Sequence, residues 1–94
     1  MKLLSITPST KADKKLMAIF DNDGRRKTVH FGQKNADDFT ITKNVEQKNR
    51  YQTRHRKDLD TKDPSRAGYL SWYILWNKPT LTESIRDYRQ RFNL

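Results

Sequence analysis

Seven of the eight residues from Tyr69 to Trp76 (YLSWYILW) are apolar or aromatic, in a chain that is only 33% hydrophobic. A core must form where such residues are concentrated, so this run constrains the fold more than any other segment. Breakers bound it on both sides. Pro64 holds Asp63 in extended geometry, and Asn77-Lys78-Pro79 interrupts the chain again, so residues 66–76 are expected to form a short helix, apolar nearly all round and therefore buried. Asp63 or Ser65 is its expected cap, and Ala67-Gly68 allow a neighbour to approach closely. Trp72 and Trp76 have a second reading, as an exposed platform for nucleic-acid bases. Core packing is preferred because the chain has little else from which to build a core.

The elements before this run are read from their periodicity. Lys2 to Ile6 alternates loosely, with Leu4 and Ile6 on one side, and Thr7-Pro8-Ser9 stops this short first strand. Leu16 to Phe20 and Lys27 to Phe31 are β-prone runs around Asp23-Gly24, a pair suited to a type I′ hairpin turn. That turn sets Phe20 opposite Lys27, Ala18 opposite Val29 and Leu16 opposite Phe31. One face then carries Leu16, Ala18, Phe20, Val29 and Phe31, while Met17, Ile19, Thr28 and His30 form a partly wet face. Gly32 to Thr42 reads as a loop that returns Phe39 and Ile41 to the core.

From Lys43 to Asp58 the pattern is helical. Val45, Tyr51, His55 and Leu59 gather on one side with Gln52, and Lys43, Arg50, Arg54 and Lys57 form a basic stripe about 21 Å long on another. Thr80 to Glu83 is a capping-box pattern. The helix it opens turns Leu81, Ile85, Tyr88 and Phe92 inward and Arg86, Arg89 and Arg91 outward. The whole reads as a single α+β domain over residues 1–94, β-rich over 2–41 and helical over 43–93. A small antiparallel sheet, made of a hairpin plus an N-terminal strand, is followed by three helices on one face.

Twenty Lys and Arg against eleven Asp and Glu leave a formal charge of +9 on 94 residues, which attracts phosphate-rich or acidic partners. Without cysteine there is no disulfide, thiolate metal site or cysteine nucleophile, which fits a reducing compartment. No window approaches 18 apolar residues, so no transmembrane segment is expected, and the run from Met1 to Ile6 is too short for a signal peptide. Asp21 starts a superficial calcium-loop pattern, but its twelfth position is Gly32, which offers no ligand. Asp37 and Asp38 are read as surface-loop or helix-cap acids, and His30 and His55 as hydrogen-bonded, half-buried residues. These four have no recognised catalytic or metal-binding spacing, so no enzyme activity, metal or cofactor is expected. The candidate contacts to an anionic partner are Lys43, Arg50, Arg54 and Lys57, with Arg86 and Arg89 of the last helix.

The segments KTVHFG (Lys27 to Gly32), DDFT (Asp37 to Thr40), RYQTRH (Arg50 to His55), DPSRAGYLS (Asp63 to Ser71), ILWNKPTLTESIRDY (Ile74 to Tyr88) and Arg91-Phe92 together resemble a family of short proteins encoded by large double-stranded DNA viruses of algae and protists. The resemblance covers residues 14–92 and includes Gly68 and Pro79. Gln33-Lys34-Asn35, where that family carries smaller residues, departs from it. The resemblance brings no catalytic residues. It implies a viral origin, synthesis in the host cytoplasm or nucleus, and a place in the virion as a small minor capsid or cement-type protein that binds acidic surfaces, capsid proteins among them. Contact of the basic helix with DNA or RNA phosphates is the alternative function.

Overall fold

A computed structural model describes all residues, 1–94. Strands β1 (Lys2–Pro8), β2 (Lys14–Asn22) and β3 (Arg25–Gln33) form one antiparallel sheet in the order β1-β2-β3. The hairpin register is the one its turn dictates: Leu16 faces Phe31, Ala18 faces Val29 and Phe20 faces Lys27. Asp23 and Gly24 both have positive φ, 53° and 87°, as a type I′ turn requires. β1 differs from its expected form in two ways. It runs on to Pro8, which an edge strand tolerates because no ladder bond is needed on the outer side. A bulge between Leu3 and Ser5 also reverses the alternation, so Leu3 and Ile6 lie opposite Phe20 and Ala18 while Leu4 is exposed.

The chain then enters a one-turn helix, α1 (Phe39–Thr42), instead of a plain loop. Asp38 caps it by accepting from the Thr40 amide and is itself 1% exposed, so it is a buried cap and not a surface acid. Phe39 enters the core, but Ile41 does not: it is 60% exposed, because residues two apart on a helix point about 200° apart and only one can face inward. Lys43 closes α1 in the left-handed conformation, φ 54°, and Asn44 opens α2 (Val45–His55) by accepting from the Gln47 amide. Lys43 therefore lies outside the helix on which periodicity places it.

α2 passes into a 3-10 segment, Arg56–Thr61, short of the predicted uninterrupted helix. It buries no residue completely, and Val45, expected on the apolar side, is 58% exposed. Its inner side is too sparsely apolar to anchor by burial. Polar ties hold it instead: Lys48 Nζ donates to the Asn77 carbonyl and Gln52 Nε2 to the Trp76 carbonyl, each at 2.9 Å.

α3 (Ala67–Leu70) continues as a π-helix over Ser71–Leu75. Its N-cap position is Arg66, without a capping bond; Asp63 instead accepts from the Ser65 amide (2.9 Å) and hydroxyl (2.7 Å) just upstream. Tyr69, Leu70, Trp72, Ile74, Leu75 and Trp76 are all buried, so the tryptophans belong to the interior and do not form an exposed platform. Gly68 permits the close approach foreseen for it, since a Cβ there would stand 2.7 Å from that of Asp58.

α4 (Leu81–Phe92) begins with Thr80 accepting from the Glu83 amide at 3.2 Å, while the Glu83 carboxylate takes the Thr80 hydroxyl rather than the backbone N–H of a full capping box. Its inward side is Ser84, Ile85, Tyr88 and Phe92, whereas Leu81 lies exposed in the first turn. Ser84 holds that inward place by accepting from the Lys78 amide at 3.1 Å. One cluster of eleven buried residues, from Leu3 to Tyr88, joins the inner sheet face to the helices, giving an α+β fold. No helix is long and apolar enough to cross a membrane.

Burial pushes the Tyr51 hydroxyl up to about 12, assisted by the charge of Asp58 and opposed by the Ser71 hydrogen bond and Arg54. Burial likewise raises Tyr88 well above the ordinary value of 10. A raised folded-state value contributes stability that is whole below the unfolded value and is lost as pH climbs through the folded one. Circular dichroism should therefore show a fold stable up to pH near 10 that unfolds between about 10 and 12, together with late tyrosinate absorbance. Full ionisation of all four tyrosines with the dichroism intact would contradict this packing.

Candidate functional site

Most of the positive charge is unpaired within the chain. Of the lysines and arginines only Lys15, Arg66 and Arg91 meet a carboxylate, those of Asp38, Asp63 and Asp87. Among the residues predicted to contact an anion, Arg50 and Arg54 lie one turn apart on α2, exposed and free of carboxylates. They line a shallow groove of about 340 Å³ with Asn49 and Thr53. These four occupy i, i+1, i+4 and i+5, one continuous helix face. Lys48, Tyr51 and Gln52 turn the opposite way, toward Trp76 and Asn77, which is why this face remains outward.

The other four predicted residues are dispersed. Lys43 precedes α2 and donates to the Thr40 carbonyl at 2.9 Å. Lys57 is exposed but sits in the 3-10 segment beyond the end of α2 and does not line the groove of Arg50 and Arg54. Arg86 is exposed on α4, away from α2 in sequence and element. Arg89 is committed internally, its guanidinium donating to the Leu3 carbonyl and tying α4 to the bulged edge strand. The predicted stripe is thus reduced to Arg50 and Arg54, joined by the Asn49 amide and by Thr53, whose hydroxyl donates to the Asn49 carbonyl at 3.0 Å.

Beside α2 the fold encloses a cleft of about 480 Å³ between the end of the β2–β3 hairpin, α2 and the π-helical segment. It gathers Asp37, Asp38, His30 and His55, four residues with no meaningful spacing in the chain. Asp38 is fully engaged there: one carboxylate oxygen accepts from the Thr40 amide and hydroxyl, and the other holds Lys15 Nζ at 2.5 Å. His30 Nδ1 shares a hydrogen bond with the Ser9 hydroxyl at 2.7 Å, and His55 Nδ1 one with Asp58 at 3.2 Å. The two histidines therefore belong to separate pairs and do not form a relay. No cluster of three His, Asp or Glu side chains is placed to hold a metal ion. Arg54 borders both groove and cleft, which makes them one continuous surface with basic and aromatic parts.

No curated protein and no solved structure matches this chain. A family model matches residues 4–55, a stretch that holds the sheet apart from the first two residues of β1, the Asp38 cap and all of α2. The chain belongs to that family, a family of unknown function designated DUF5754.

Proposed function

We propose that this protein is a non-enzymatic nucleic-acid-binding module, in which Arg50 and Arg54 contact backbone phosphates from the outward face of α2. The observation that carries this reading is the composition of that face: two arginines without carboxylate partners, interleaved with Asn49 and Thr53. Arginine presents a planar fork of donors that matches phosphate, and the Asn49 amide adds a common phosphate contact, while the Thr53 hydroxyl is held by the Asn49 carbonyl. The formal charge of +9 adds long-range attraction to any polyanion. Fluorescence anisotropy of labelled oligonucleotides between about 50 and 200 mM salt should show affinity falling steeply, and Arg50→Gln or Arg54→Gln should each reduce the logarithmic salt slope by about 1. A flat salt dependence would refute the reading.

A second reading, a minor component of a virus particle bound to an acidic capsid surface, is favoured by one observation. Ile41 and Val45 are exposed on either side of Lys43, where α2 begins, and an apolar pair beside a lysine suits a protein surface better than a phosphate backbone. Mass spectrometry of purified particles tests it, and absence of the chain from them excludes it.

A further inference from the structure

The cleft beside α2 holds an aromatic feature that phosphate contacts alone leave unused. Trp76, Tyr51 and His55 stack as a column: Tyr51 is 4.5 Å from Trp76 at an interplanar angle of 9°, and 4.2 Å from His55 at 21°. Tyr51 lies in the middle, so both of its faces are covered. His55 ends the column. Its side chain is 43% exposed, Asp58 fixes its orientation through Nδ1, and no aromatic ring stacks on its other face. Arg54 adjoins it on α2, and Lys14 stands on the hairpin wall; neither meets a carboxylate. The cleft volume falls within the range of small-ligand sites.

We infer that this cleft receives one nucleotide of a single-stranded nucleic acid. The base stacks on the uncovered face of His55 and extends the column, while the adjoining phosphate lies between Arg54 and Lys14. The inference rests on the phosphate-contact reading of α2 and narrows its substrate class. A base inside a duplex has both faces occupied by its neighbours and can stack on a protein ring only by leaving the helix. A single strand offers its bases freely, and stacking on an aromatic side chain tolerates any of them. Gln33 and His30, on the same cleft, supply polar groups for the base edge or sugar. Asp37 and Asp58 also line it, and their charge disfavours a free nucleotide's dianionic phosphate relative to the singly charged phosphodiester inside a strand.

The test compares three labelled probes on the full chain at matched salt concentrations between about 50 and 200 mM: a thymidine decamer, a decamer of the same phosphates without bases, and a hairpin duplex. The intact protein should bind the thymidine decamer on the order of ten-fold more tightly than the abasic strand, and more tightly than the duplex. His55→Ala should abolish the preference over the abasic strand without changing the salt slope, and His55→Phe should restore it. Both variants should stay folded, His55→Ala melting a few degrees lower because it gives up the stack on Tyr51 and the bond to Asp58. If His55→Ala keeps the preference, or the duplex binds as well as the decamer, the cleft assignment is wrong while an unchanged salt slope still supports α2. If no probe binds at about 50 mM salt, the α2 reading fails and this one with it.

Discussion

Replacing Asp38 by alanine is expected to destabilise the domain by about 3 kcal/mol, measured by chemical denaturation. Two losses combine. The α1 cap disappears, worth about 1 kcal/mol by itself. Lys15, whose side chain is 19% exposed, then keeps only the Ala36 carbonyl as a partner for its ammonium group. A charge stranded in so dry a place costs more than the pair contributed, because its desolvation is no longer offset. Asp38→Asn retains the Oδ1 acceptor for Thr40 and should lose less. Lys15→Met combined with Asp38→Ala should recover part of the deficit, since removing both partners leaves no stranded charge. A single variant as stable as the parent would show that this pair does not hold the loop.

The hairpin was legible because the Asp23-Gly24 turn fixes its own register, and with it which of Leu16 to Phe31 face the core. The buried Tyr69–Trp76 run was equally plain, since nothing else in so polar a chain could replace it. The π-helical winding of its second half was not, because no residue from Ser71 to Leu75 signals a change of pitch. The basic stripe is not carried by one helix, and at its start the reason is local. Asn44 and Gln47 three residues later mark the true start of α2, yet helical averaging from Lys43 passed over that cap. Leu4, Ile41, Val45 and Leu81 show the same limit: period alone assigns a face, but a bulge, a one-turn helix or a polar anchor decides whether that face is covered. The cleft was illegible because it depends on tertiary placement. His30 arrives on β3 and His55 on α2, and only the packing of α2 against Trp76 brings both to one cleft.

Tyr88→Ala is expected to cost about 4 kcal/mol, the largest effect of any single side chain considered. The ring is fully buried and meets Phe92 edge-on at 5.0 Å and Tyr73 at 6.1 Å, and its hydroxyl donates to the Pro64 carbonyl. Truncation opens a cavity between α4 and the π-helical segment and leaves that carbonyl without its partner. For a small domain whose total stability is of order 5–15 kcal/mol, the variant should melt about 20 °C lower or lose its cooperative transition. Tyr88→Phe separates the two contributions, since it keeps the ring and removes only the donor, and should cost about 1–2 kcal/mol. That variant also bears on function. Tyr88 packs the side of the π-helical segment turned toward α4, while Trp76 ends that segment and presents its ring to Tyr51. A folded Tyr88→Phe protein should therefore bind single strands as the parent does. If it instead lost binding while keeping its fold, the Trp76–Tyr51–His55 column would depend on α4, and the cleft could not be the self-contained stacking site assigned to it.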